Sequence, residues 1–344
     1  MMQPNFDNLL RVLDRKAPER PTLFEFFLNG PLYDQLAGFT LPEQPEEMLY
    51  FRRIVHAFWH AGYDYATVGG SNFSFPAGEH HRDKSISLNE GSVITDRASF
   101  NAYAWQDPDA FSYDHLDKLA RELPPGMKLI VPGPGGVLEN AIGLVGFDNL
   151  CMLLADDPEL VEEIFAAIGS RLVRYYTISA AYPAVGALIS NDDWGFKTQT
   201  MLTPTQMRTL VFPWHKRIVE VIHQAGKPAI LHSCGNHRDV IEDIIDDMQY
   251  DGRHSYEDAI EPVEEAYERW GSRIAILGGI DVDFLCRSTP AEIHARAQAM
   301  LDRSATRGSY ALGSGNSIPE YIPHAAYFAM ISAARTEWRV TAGV

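Results

Sequence analysis

The chain reads as an α/β protein, a (β/α)8 (TIM) barrel spanning residues 1–344 as a single domain. Short apolar runs recur, each followed by a polar or glycine-rich turn and then a stretch with helical periodicity, which implies parallel strands joined by helical crossovers. No Gly/Ser linker, charge block or low-complexity run marks a boundary between domains. At this length a closed barrel is the natural arrangement of such units, with a doubly wound open sheet as the alternative.

The units follow in order after an N-terminal helical segment. Residues 65–95 break the rhythm, being rich in Gly, Ser, Asn and aromatics, with the basic cluster His80-His81-Arg82-Asp83-Lys84. They read as a long insertion near the barrel mouth, facing either substrate or another subunit. The apolar run at 129–131 leads through Pro132-Gly133-Pro134-Gly135-Gly136 into a helix over 141–154. That turn lacks the Gly-Lys-Ser/Thr ending of a phosphate loop. The run at 186–190 leads through Asn191-Asp192-Asp193 into a helix over 204–225, with apolar Leu210, Val211, Trp214, Ile218, Val221 and Ile222. Residues 229–231 lead through His232-Ser233-Cys234-Gly235 into a helix over 239–248. Residues 274–277 lead through Gly278-Gly279-Ile280-Asp281 into a helix over 290–303. Residues 310–312 lead through Gly313-Ser314-Gly315-Asn316 into a closing helix over 324–335.

Acidic residues number 46 against 29 basic ones, a formal net charge of −17. Such a surface repels phosphate backbones and anionic lipid, so nucleic acid and membrane are excluded as partners. No segment reaches the roughly 18 uninterrupted apolar residues that a membrane span needs, and the N-terminus lacks the basic and apolar regions of a signal peptide. Three widely spaced cysteines form no disulfide framework, which points to a reducing cytoplasm. Cys151 and Cys286, in apolar helical surroundings, read as small core residues.

In a barrel of this kind the chemistry sits at the C-terminal ends of the strands. The residues placed there are Asn191, Asp192 and Asp193; His232 and Cys234; His254 and Glu257; Asp281; and Ser314 and Asn316. His232 and Cys234, two apart at one strand end, project to the same side, and imidazole and thiolate are preferred zinc ligands. Gly235 frees the backbone just after them. Glu257 offers an oxygen ligand that leaves one coordination place open, or else a first-turn carboxylate for the next helix. Asp192 or Asp193 suits a general acid or base, or a simple helix cap.

These residues, with Phe212-Pro213-Trp214-His215, Ser255-Tyr256-Glu257-Asp258 and Leu312-Gly313-Ser314-Gly315-Asn316-Ser317-Ile318-Pro319, resemble the uroporphyrinogen decarboxylase superfamily. The resemblance is stronger to its corrinoid-dependent methyltransferase branch, of the methylcobalamin:coenzyme M type, than to the true decarboxylases. Where the decarboxylases carry arginines for substrate carboxylates, this chain has Leu23-Phe24-Glu25-Phe26-Phe27, and its late loop lacks their histidine. A multiply anionic porphyrinogen without an arginine clamp is poorly held.

The methyltransferase branch implies zinc on His232 and Cys234, with Glu257 as an exchangeable ligand in place of the branch's late-loop cysteine, which is absent. Cys286 stands on the wrong unit to replace it. The implied partners are a methylated corrinoid carried on a separate protein and a small-molecule substrate, with a homodimer as a further expectation. Asn191 and Asp193 would orient the acceptor; His254, Asp281, Ser314 and Asn316 complete the substrate site. Two other readings stay open: a metal-independent lyase or decarboxylase using Asp192 or Asp193 with Lys197 or Arg82, and a non-catalytic homologue that binds a tetrapyrrole or pterin.

Overall fold

The computed structural model describes residues 2–78 and 88–341, with side chains to residue 335. The basic cluster at 80–84, including Arg82, lies outside the described residues. Three helices open the chain: α1 (Asp7–Leu13), α2 (Gly30–Ala37) and α3 (Glu47–Ala61). Among the described residues seven parallel strands follow in strictly sequential order, β1 (Tyr65–Thr67), β2 (Lys128–Pro132), β3 (Val185–Asn191), β4 (Ala229–His232), β5 (Gly252–His254), β6 (Ala275–Leu277) and β7 (Tyr310–Ala311). Their interior residues Leu129, Ile130, Leu188, Ile189, Ile230, Ile276 and Ala311 are wholly buried. Near-continuous apolar strands of this kind are expected where helices cover a parallel sheet.

Beyond the seven strands, residues 22–25 join the sheet by an isolated bridge rather than a ladder. Leu23 pairs in parallel with Leu312, and Phe24 N–H donates to Leu312 O at 2.8 Å. On the opposite flank, the Tyr65 hydroxyl accepts from Glu25 N–H at 2.7 Å and donates to the Glu25 carbonyl at 2.8 Å. Residues 22–25 are thereby tied to β1 through Tyr65 and to Leu312, the residue that follows β7.

Between β1 and β2 stand α4 (Arg97–Ala102) and α5 (Asp114–Ala120). The insertion begins as β1 itself, and Phe73, Phe75 and Ile94 are buried rather than loose. The helix expected over 141–154 is two helices, α6 (Val137–Val145) and α7 (Phe147–Asp156), meeting at 93°. Gly146 separates them at φ +82°, a conformation that glycine adopts without penalty. Next come α8 (Pro158–Ala180) and, after β3, α9 (Pro204–Gln206), a π-helical turn (Met207–Val211) and α10 (Phe212–Gln224). Pro213 in the first turn of α10 can donate no backbone hydrogen bond and crowds the preceding turn, which the wider π-turn relieves.

The stretch over 239–248 is helical around a π-turn at Asp243–Asp247. Three helices surround β6, α11 (Val263–Trp270), α12 (Val282–Arg287) and α13 (Pro290–Ser304), and α14 (His324–Thr341) closes the chain. Among the described residues no single helix is long and apolar enough to cross a membrane. Cys151 and Cys286 are exposed, not core residues. Their preceding neighbours Leu150 and Leu285 take the buried positions, and a helix turns about 100° per residue, which carries each cysteine outward.

Candidate metal centre

The strand register sets the site. Asn191 is level with His232, and His232 with His254, so β3, β4 and β5 end in one row of polar side chains. Beyond the row, the turns after β3 and β4 are joined by backbone hydrogen bonds from Gly195 N–H to Cys234 O at 3.2 Å and from Asn236 N–H to Phe196 O at 2.9 Å. Gly235 makes this possible. It sits at φ +101°, and a Cβ there would come within 2.2 Å of Gly195 O.

The paired turns bring the Asp193 carboxylate to Cys234, whose backbone N–H donates to Oδ1 at 2.9 Å. Asp193, His232 and Cys234 each present one donor atom, and these atoms all lie within 4.8 Å of one another. Cys234 Sγ stands 3.9 Å from His232 Nε2 and 3.7 Å from Ser255 Oγ, and the Asn316 amide donates to it at 3.3 Å. Burial, and after it the charge of Asp193, pushes the Cys234 thiol far up. Burial, with His254 adding to it, holds His232 well below the usual histidine range. An imidazole that stays neutral, a carboxylate and a thiol suit zinc in kind and number, with a fourth position open.

Glu257, expected as the third ligand, stands outside this group; its carboxylate faces Lys197 Nζ at 3.8 Å. The clustered carboxylate is Asp193, which the sequence suggested as a general acid or base or as an orienting group, not as a ligand.

The other expected residues divide by what they touch. Asp192 is wholly buried, accepts from Leu138 N–H at 2.9 Å and Glu139 N–H at 2.8 Å, and lies 2.9 Å from His215 Nε2. It caps α6 and ties β3 to α10. Asp281 caps α12 through Phe284 N–H and also accepts from Asp258 N–H, both at 2.8 Å. Asn191 keeps a buried Oδ1 without a hydrogen-bond partner. His254, held down at about 4 by burial, lies with Nδ1 at 2.8 Å from His232 Nδ1 and Nε2 at 3.1 Å from Ser314 O. Ser314 is buried and both its N–H and its hydroxyl meet the Glu25 carboxyl. A cavity of about 320 Å³ lined by Tyr256, Glu257, Asp281, Asn316, Ser317 and Tyr321 opens beside the cluster. A larger hollow of about 490 Å³ around Cys151, Thr200 and Asp239 contains none of these residues.

Two carboxyls escaped sequence reasoning. Glu25 is wholly buried, and burial pushes it up to about 8; its only signal was a lone acid inside an aromatic run. Glu139, pushed up to about 8 by burial and by Asp192 and Asp193, accepts from Gly136 N–H at 2.8 Å. The Gly136-x-x-Glu139 spacing before α6 is the capping pattern that would have marked it.

The fold and this donor set define a parallel α/β protein whose polar site gathers at the C-terminal strand ends, in the manner of barrel enzymes. The chain belongs to the uroporphyrinogen decarboxylase (URO-D) family, whose profile matches residues 88–337. No curated protein matches the sequence. Among solved structures, a methyltransferase from Methanosarcina mazei is similar over 96% of this chain and 98% of its own, with a TM-score of 0.68 at 15% identity. Xylanase B from Clostridium stercorarium F9 is similar over 68% of this chain and 86% of its own, with a TM-score of 0.40 at 12% identity.

Proposed function

We propose that the protein is a zinc-assisted methyltransferase, moving a methyl group between a corrinoid carried on a separate protein and a small molecule. The observation that carries this reading is the Asp193–His232–Cys234 cluster at the strand ends of a URO-D family chain. The full-length likeness in fold to a methyltransferase supports it. On this reading residues 22–25 close a (β/α)8 barrel of one domain, and the protein works in the cytoplasm, to which its three free cysteines are suited.

Asp193, His232 and Cys234 would hold the metal. Bound there, zinc supplies a Lewis acid that lowers the pKa of a thiol or similar acidic group on the substrate. The chain's own residues do the rest. The Asp193 carboxylate accepts from the Cys234 N–H, while the Asn316 amide donates to the sulfur and favours its ionised form. The free Oδ1 of Asn191 orients the acceptor, and the cavity between Glu257, Asn316 and Tyr321 receives its remaining atoms. Glu257, whose charge acts on the Cys234 thiol, is the exchangeable group of this reading. A metal-independent decarboxylase needs a cation for the substrate carboxylate. Among the described residues the basic group beside Glu257 is Lys197, already facing that carboxylate.

Elemental analysis of freshly purified protein tests the proposal. About one zinc per chain is expected, lost in His232→Ala, Cys234→Ala and Asp193→Ala; purified wild-type protein without zinc overturns it.

A further inference from the structure

Hydrogen positions along one chain of contacts follow from the acceptors at its far end. Ser314 O is a carbonyl and can only accept, so His254 Nε2, at 3.1 Å, must carry a proton. His254 is wholly buried, packed edge-on against Phe24, and touches no carboxylate, so it is neutral. Its Nδ1 is therefore a bare acceptor. The 2.8 Å contact between His254 Nδ1 and His232 Nδ1 needs one proton between the two nitrogens, and it must come from His232. His232 Nε2 is then left with its lone pair free, on the side of the ring that faces Cys234 Sγ. That is the tautomer a metal ligand requires.

The anchor of the chain is also built. The Ser314 N–H donates to Glu25 Oε2 at 3.2 Å, and the Ser314 hydroxyl contacts Glu25 Oε1. The neighbours of Glu25 complete the arrangement: Phe24 packs on His254, and Phe26 packs on His232 with ring centroids 4.6 Å apart. The aromatic run near the N-terminus thus supports the site from beneath.

We propose that Glu25, Ser314 and His254 are positioning residues that lock His232 in its metal-binding tautomer, and so set zinc affinity from outside the ligand set. The proposal rests on the reading of Asp193, His232 and Cys234 as a zinc site, and two measurements separate its failure from failure of that reading.

The first uses zinc-free protein with ¹⁵N-labelled histidine, where ring-nitrogen shifts report protonation directly. His232 is expected to carry its proton on Nδ1 and His254 on Nε2; a proton on His232 Nε2 overturns the proposal whether or not the protein binds zinc. The second is zinc affinity, by competition with a chromogenic chelator. His254→Leu is expected to lose about 10- to 100-fold, the usual cost of removing an outer-shell partner. His254→Gln can accept from His232 with its carbonyl and donate to Ser314 O with its amide, and is expected to stay within a few-fold of wild type. Glu25→Ala is expected to fall between them. Equal losses in the Leu and Gln variants overturn the relay, as does no loss in either. Wild-type protein that binds no zinc overturns the metal reading alone, and the ring-nitrogen shifts then decide the relay. Should His254→Leu fail to fold by circular dichroism, the Gln variant and the shifts decide it.

Discussion

At Cys234 two influences act in one direction. Burial and the Asp193 carboxylate both keep the thiol protonated in metal-free protein, and a metal can take the sulfur only by displacing that proton. Zinc uptake is therefore expected to release protons and to strengthen as pH rises, which calorimetry in buffers of different ionisation enthalpy measures. Asp193→Asn removes both a ligand and the charge that disfavours the thiolate. It is expected to weaken zinc binding while lowering the pH at which Cys234 ionises, read from ultraviolet thiolate absorbance in zinc-free protein. An Asp193 that only shapes the turn would leave the thiol titration where it is. How far these residues were legible follows from distance along the chain. His232 and Cys234, two apart on a strand end, declare their common direction in the sequence. Asp193 reaches them only because two separate turns hydrogen-bond to each other, and no local pattern encodes that. Glu25 meets Ser314 from the far end of the chain, and a single acid among phenylalanines gives no sign of its partner.

Elements were legible where they are long or apolar. The runs at the cores of β2, β3, β4, β6 and β7 stand out by hydrophobicity, whereas β5 contains Arg253 and His254 in three residues and has no apolar signature. Likewise, β1 is concealed at the start of what reads as an insertion. The break at Gly146 was missed because apolar periodicity runs on through it, although the chain turns by 93°. Two substitutions test how elements carry the site. Gly235→Ala forces a side chain against Gly195 O and asks alanine to hold φ +101°. It is expected to separate the paired turns and lose zinc, with elemental analysis as the check. Asp192→Ala leaves the N–H groups of Leu138 and Glu139 without their acceptor and His215 without its carboxylate, all of them buried or half-buried. Lost capping and unsatisfied donors together are expected to cost about 3 kcal/mol. Urea denaturation measures this, and a variant as stable as wild type would show that α6 does not depend on β3.

For the whole molecule, pH dependence follows from groups that fold into the interior. His232 and His254 are neutral in the fold and ionise more readily when unfolded. Their contribution is fully present above pH 6.5, the ordinary value for an unfolded histidine, and is lost as pH falls below it. Glu25 has the opposite sign. Its folded value is raised from 4.5 to about 8 by burial, so the folded state holds a proton that the unfolded state releases. Its contribution is fully present below pH 4.5 and declines as pH rises toward 8. The two effects oppose each other between pH 4.5 and 6.5. Above 6.5 the histidines no longer contribute a slope, most surface carboxylates are already ionised, and Glu25 and Glu139, each raised to about 8 with burial as the largest cause, set the slope together. Each pH unit there corresponds to about 1.4 kcal/mol per group, so the Glu25 carboxyl alone is expected to remove about 2 kcal/mol of the stability of zinc-free protein between pH 6.5 and 8. Glu25→Gln keeps the shape and the hydrogen-bonding capacity of a protonated carboxyl but cannot ionise. Its urea midpoint is expected to change less over that interval, with the slope of Glu139 remaining, so that the variant gains on wild type as pH rises. Parallel curves for the two proteins would mean that the Glu25 carboxyl is already ionised in the fold, compensated by a group that does not contact it in this structure.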